Sequence, residues 1–184
     1  MKNKHIMIIR HFDTVRGTDK IKFNESLEKS HQFVYYISEF LDKYPEIKKI
    51  KFYTSDQDRT IITSLILSSK LKSEIIRKKI NNLQVYDPTI NNKIDRDPKK
   101  KYKIQTCNYF KYIVDKTFDD KTLYIYITHS SIIYDLFKCI TEYLINDRVE
   151  IQNNKIHSYS ISTIISNNDK VNYTFNKKID KMFK

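Results

Sequence analysis

Ile6-Met7-Ile8-Ile9-Arg10-His11-Phe12-Asp13-Thr14 lies close to the start of the chain. Its four apolar residues read as a fully buried strand, and the sequence then turns at once into polar chemistry. Open α/β sheets place ligands at the carboxyl ends of their strands, which is where Arg10 and His11 fall. The two side chains are complementary tools for a phosphate. A guanidinium grips two oxygens at once and stays charged. A neutral imidazole can attack phosphorus and carry the phosphoryl group covalently. Taken alone the pair is ordinary, and an arginine and a histidine capping a strand describe it equally well.

The rest of the chain supplies the context. Val15 to Asn24 is polar, contains the single glycine, Gly17, and reads as a loop. Asn24 or Ser26 caps a helix to about Lys43, with Leu27, Val34, Ile37 and Leu41 at helical spacing on its buried face. Tyr44-Pro45 stops it. Ile50 to Tyr53 is a second short strand, leading into Thr54-Ser55-Asp56. A second helix from about Gln57 to Leu71, capped by Asp56 or Ser55, turns Ile61, Ile62, Leu65 and Ile66 inward. Arg59 sits in its first turn, where a cation opposes the helix dipole unless an anion is near; a solvated arginine explains the position about as well.

A short third strand lies within Ile75 to Val85. Residues 87–101 form a long polar segment with Pro88 and Pro98, the length of loop that usually serves a site or is disordered. Gln105 to Lys116 reads as a helix. Leu123 to Ile127 is strand-like and delivers Thr128-His129-Ser130-Ser131. The next helix, to about Ile145, turns Ile133, Leu136, Phe137, Ile140 and Leu144 inward. Lys155 to Ser166 and Val171 to Phe175 make a terminal hairpin around Asn167-Asn168-Asp169. Alternating strands and helices predict a three-layer α/β/α sandwich with a mostly parallel central sheet. In such a sheet the strand ends share one rim, so Arg10, His11, Arg59 and His129 can converge. That set suits phosphoryl transfer: guanidiniums neutralise oxygens, one imidazole attacks and the other donates a hydrogen bond. Helix N-termini after Asp56 and after Ser130 would add backbone donors for an anion.

Composition bounds the reading. The 184 residues suit one domain, 1–184, with 40% hydrophobic and 30% charged residues, as in globular proteins. No apolar run reaches the length of a membrane span, and the start lacks the apolar stretch of a signal peptide. Cys107 and Cys139 lie in no metal or redox spacing, which predicts free thiols in a reducing compartment and a cytoplasmic address. The net charge of +12 comes from lysines spread along the whole chain, and only Lys99-Lys100-Lys101 with Lys103 is dense. Nucleic acid binding, which needs a concentrated basic face, is therefore the minority reading. Many Asn, Lys, Ile and Tyr and no tryptophan suggest an AT-rich coding sequence.

Three motifs then resemble the histidine phosphatase superfamily, in its phosphoglycerate-mutase-like branch. Its opening R-H-G-[E/D]-T compares with Arg10-His11-Phe12-Asp13-Thr14. Its S-P-L-x-R-A-x-Q-T compares with Ser55-Asp56-Gln57-Asp58-Arg59-Thr60-Ile61-Ile62-Thr63, and its [V/I]-[T/S]-H-G-G with Ile127-Thr128-His129-Ser130-Ser131. The order is kept and each follows a strand. The resemblance implies that His11 becomes a phosphohistidine and that Arg10, Arg59 and His129 complete the phosphate pocket. Thr14 matches the motif threonine and orders the loop rather than touching phosphate. No metal or cofactor is implied.

The departures also bear on function. Phe12 replaces the motif glycine, and its ring is placed to cover the pocket. Gly17 stands where the family has a phosphate-contacting asparagine. Asp87-Pro88-Thr89-Ile90-Asn91-Asn92 keeps the frame of the family's D-P-x-L-x-E but puts Asn92 in place of the acid, and an amide cannot supply a proton. Asp95 and Asp97 in the same loop over the active site are the candidates to replace it, with Asp13 an outside one; for each loop aspartate taken singly, a solvated turn residue is the safer reading. The expectation is a small, metal-independent, histidine acid phosphatase-like phosphomonoesterase. Its substrate would be a phosphorylated small molecule or a phosphoprotein. The alternatives are a catalytically weak phosphate-binding or interaction module and a mutase-type phosphotransferase.

Overall fold

The computed structural model describes residues 3–15, 18, 20–72, 74–79, 107–111, 119–151, 156–157, 159–167 and 170–179. In chain order the elements are β1 (Lys4–Arg10), α1 (Phe23–Lys43), β2 (Lys49–Thr54), α2 (Asp58–Ser68), β3 (Glu74–Lys79), β4 (Thr122–Thr128), α3 (Ser130–Ile145), β5 (Ser160–Asn167) and β6 (Lys170–Lys178). Residues 107–111 are also helical.

The apolar run that opens the chain is buried on both faces, so alternate residues serve two different cores. Ile6 and Ile8 join Tyr124 and Tyr126 of β4 beneath Ile133, Leu136, Phe137 and Ile140 of α3. Met7 and Ile9 join Leu123, Ile125 and Ile127 on the opposite face, against Phe33, Ile37 and Phe40 of α1 and Ile66 and Leu67 of α2. One six-stranded sheet thus divides the molecule into three layers, in the strand order β3-β2-β4-β1-β5-β6. The β3–β2, β2–β4 and β4–β1 pairs are parallel, and the terminal hairpin adds β5 antiparallel to β1 and β6 antiparallel to β5. The three-layer, mostly parallel expectation holds.

Insertion of β4 between β1 and β2 positions the site. The connection from β1 passes along one face through α1 to β2. The connection from β4 passes along the other face through α3 to β5. Two crossovers that leave neighbouring strands on opposite faces leave a crevice at the carboxyl ends, the usual ligand position in such sheets.

The inward face of α3 is as the periodicity predicts; those of α1 and α2 are so in part, with Ile37 and Ile66 buried and Val34, Leu41 and Ile62 packed against the core. In α1 the buried residues are Ser26, Ser30, Phe33, Ile37 and Phe40, and Leu27 is exposed. The small serines let the helix axis approach the sheet, so the bulky neighbours Val34 and Leu41 ride the edge of the contact. In α2 the buried set is Thr60, Thr63, Ser64, Ile66, Leu67 and Ser68, and Leu65 is exposed. Hydroxyls can line a core here because they bond the helix's own carbonyls, as Thr63 does to Arg59 (2.7 Å) and Ser64 to Ile61 (2.7 Å). The N-cap positions are Lys22 and Gln57, neither with a side-chain cap, so Asn24, Ser26 and Asp56 do not cap as expected.

Cys107 and Cys139 are joined in a disulfide, with Cα atoms 5.7 Å apart. This corrects the expectation of free thiols, and the argument from free thiols to a reducing compartment goes with it. The bond ties the helical residues 107–111 to α3; the 32-residue separation has no diagnostic spacing from which the sequence could disclose it. Among the described residues, no helix is long and apolar enough to cross a membrane.

Candidate active site

The strand register brings the three motifs together. Arg10 pairs with Thr128, and Thr54 with Ile127, so β1, β4 and β2 end level on one rim. The chain then departs from that rim three times: into His11, into His129 at the N-cap of α3, and through Ser55 into the first turn of α2, which carries Arg59. The His11 and His129 rings lie 5.1 Å apart.

His11 is fixed at both main chain and ring. Its N–H donates to the Thr128 carbonyl (3.0 Å), extending the β1–β4 ladder by one residue. Its Nδ1 lies 2.7 Å from the Phe12 carbonyl oxygen. A carbonyl only accepts, so Nδ1 carries the proton and Nε2 keeps a lone pair. Burial lowers the His11 pKa to about 4, the hydrogen bond to Phe12 opposes this, and the nearby Arg59 and Arg10 charges lower it further. The imidazole is therefore neutral near pH 7, the form in which Nε2 is nucleophilic.

His129 is held from two sides. Arg59 Nε donates to its Nδ1 (3.3 Å), and its Nε2 lies 3.1 Å from Ser55 Oγ. Since the guanidinium can only donate, Nδ1 accepts and the ring proton sits on Nε2. Burial is again the main cause of a pKa lowered to about 3, with His11, Arg59 and Arg10 adding to it. Two buried neutral imidazoles beside two guanidiniums make a site whose fixed charge is positive and in which each ring keeps one unprotonated nitrogen. Such a site favours an anion and leaves a ring nitrogen able to attack it.

The surrounding residues order this set. Arg10 Nη2 lies 3.5 Å from Asp13 Oδ1, at partly exposed positions. Thr14 forms an isolated antiparallel bridge with Ile21, which closes the loop after the strand. Thr63 Oγ1 accepts the Phe12 N–H (3.0 Å), joining the first motif to α2. Phe12 itself is fully buried, with its ring 5.5 Å from Phe33 and 5.7 Å from Tyr159. It belongs to the core beneath α1, which corrects the expectation that it covers the pocket. Phe12 takes an ordinary negative φ, so no glycine is needed there.

Sequence reasoning missed Thr60, whose hydroxyl lies 2.8 Å from Ser55 Oγ. The available signal was a threonine at the motif's alanine position. Asp95, Asp97, Asn92 and Gly17, with the 87–101 loop, lie outside the described residues. Among the described residues, no group of three or more His, Cys, Asp or Glu side chains is placed to hold a metal ion.

No protein-family model matches the sequence, and no curated protein is significantly similar to it. Solved structures match over nearly the whole chain. Phosphoglycerate mutase from Plasmodium falciparum matches with a TM-score of 0.54 at 15% identity, over 95% of this chain and 90% of its own. A mycobacterial glucosyl-3-phosphoglycerate phosphatase, solved in complex with inorganic phosphate, matches with a TM-score of 0.56 at 11% identity, over 96% and 98%. The chain has a phosphoglycerate-mutase-like fold. At these identities the likeness is one of fold, and the chemistry rests on this chain's own residues.

Proposed function

We propose that this protein is a metal-independent phosphomonoesterase that works through a phosphohistidine on His11. One observation carries the reading: the bond from His11 Nδ1 to the Phe12 carbonyl leaves Nε2 as a neutral base beside Arg10, Arg59 and His129. In the first step Nε2 forms a bond to phosphorus as the ester P–O bond breaks, and the departing oxygen takes a proton. In the second, water attacks phosphorus and gives a proton back to the carboxylate that protonated the leaving group, the P–N bond breaks, and phosphate leaves. Arg10 and Arg59 balance the charge of the phosphoryl oxygens in both steps. His129 takes the proton of a monoanionic ester at Nδ1, as Arg59 Nε turns from that atom to the phosphoryl oxygens, and donates it as a hydrogen bond to one of those oxygens.

Asp95 or Asp97 supplies the leaving-group proton in place of Asn92, with Asp13 the outside candidate. The substrate is a phosphorylated small molecule or a phosphoprotein. The two neighbours described above, a mutase and a phosphatase, support phosphoryl chemistry on this fold.

Hydrolysis of p-nitrophenyl phosphate in EDTA, followed across pH 4 to 8, tests the reading. This ester has a good leaving group and needs little acid assistance, so it reports the nucleophile. His11→Ala is expected to lower kcat/KM by about a thousandfold or more. Equal rates in the wild type and in His11→Ala overturn the phosphohistidine. An inactive wild type that still binds vanadate favours the second reading, a phosphate-binding module, to which the loss of the acid at Asn92 points.

A further inference from the structure

We propose that Thr60 is a positioning residue that fixes the tautomer of His129 through the hydroxyl of Ser55. The inference deepens the phosphatase reading and rests on it for its kinetic consequence, though not for its structural one.

The direction of each hydrogen bond follows from the chemistry of its partners. Thr60 is fully buried in the first turn of α2. Its Oγ1 lies 2.8 Å from the Gln57 carbonyl oxygen and 3.2 Å from that of Ser55. Carbonyls accept only, so the Thr60 hydroxyl proton is spent there. The 2.8 Å contact between Thr60 Oγ1 and Ser55 Oγ must then be donated by Ser55. With its own proton committed, Ser55 Oγ can only accept from its other neighbours. Those are His129 Nε2 at 3.1 Å and the Gln57 N–H at 3.4 Å. Hence Nε2 carries the proton.

The same assignment follows independently from the other side of the ring, where Arg59 Nε can only donate to Nδ1. A one-way chain therefore runs His129 Nε2–H to Ser55 O–H to Thr60 O–H to the Gln57 carbonyl. It leaves Nδ1 as the sole basic atom of His129, beside Arg59. When a phosphoryl group enters, Arg59 turns its Nε–H from Nδ1 to the phosphoryl oxygens, His129 takes up a proton at the vacated Nδ1, and the chain accepts part of the imidazolium charge through Nε2–H.

An alanine at position 60, as in the motif that the sequence resembles, would leave Ser55 free to turn its proton toward Nε2. The ring would then carry its proton on Nδ1, and two donors, Nδ1–H and Arg59 Nε–H, would face each other. Thr60 removes that alternative.

Nitrogen-15 NMR of the resting protein, with the His129 signals assigned through His129→Gln, reads the tautomer without any turnover. The wild type and Thr60→Ser are expected to show Nε2–H. Thr60→Val and Thr60→Ala are expected to show a mixture or the Nδ1–H form. In the p-nitrophenyl phosphate assay, Thr60→Val should lower kcat by about tenfold or more with KM changed less than twofold, and Thr60→Ser should restore kcat. An unchanged Nε2–H tautomer in both Thr60→Val and Thr60→Ala overturns the proposal, whichever of the two folds more stably. Absence of turnover in the wild type with the expected tautomer shift would refute the phosphatase reading and leave the relay standing.

Discussion

Position 12 shows how one residue can depart from a motif without losing the geometry that the motif serves. A glycine there would offer backbone freedom, but the backbone at Phe12 does not use it. The side chain instead fills space between Phe33 and Tyr159, while the main chain carries out the two tasks that concern the site. The Phe12 carbonyl orients His11, and the Phe12 N–H reaches Thr63. Phe12→Ala is expected to destabilise the fold by about 3–5 kcal/mol, as for other buried aromatic truncations. Urea denaturation checks this, and a loss below about 1 kcal/mol would mean that the ring is not a core group. The sequence disclosed that Phe12 breaks the pattern but not which way the ring turns, since that depends on contacts with residues 33 and 159, far along the chain. Thr60 was hidden for a similar reason: its signal was a hydroxyl with no visible partner until Ser55 and Gln57 were brought beside it.

Among elements, the strands were the most legible. The uninterrupted apolar runs at 6–9 and 123–127 read as two-faced strands, and the polar residues after them fell on one rim because the sheet is parallel there. Helix faces were most legible where apolar residues make nearly all of the contact, as in α3. In α1 and α2 the contact is made partly by serine and threonine, several of whose hydroxyls bond helix carbonyls, so hydrophobic periodicity found Ile37 and Ile66 but missed the small polar residues beside them. The disulfide was not legible, because Cys107 and Cys139 become neighbours only once residues 107–111 pack against α3. Closing a 32-residue loop between two elements constrains the unfolded chain. The paired substitution Cys107→Ser with Cys139→Ser is expected to cost about 2–4 kcal/mol. Comparing urea midpoints of this double variant and of the oxidised wild type measures the effect; equal midpoints would show that the bond contributes nothing.

At the scale of the whole molecule, burial of three neutral histidines makes stability depend on pH. His5 is fully buried at the far end of β1, and its pKa is lowered by burial, opposed by Glu46 and Asp120. His11 and His129 are lowered to about 4 and about 3. In the unfolded chain each titrates near ~6.5. Below that pH the unfolded state binds more protons, so the stability present above about pH 6.5 is lost progressively as pH falls toward 4. Denaturation at pH 7.5, 6 and 5 should show a falling midpoint, partly recovered by inorganic phosphate, whose charge favours the imidazolium forms. A midpoint unchanged across that range would contradict the neutral, buried assignment. The central claim concerns His11 Nε2 as the atom that receives phosphorus. Rapid quenching into base during p-nitrophenyl phosphate turnover, followed by peptide mass spectrometry, tests it most directly. The account predicts an acid-labile, base-stable phosphoryl group on the peptide carrying His11, absent from His11→Ala; turnover with no such adduct at any quench time would contradict it.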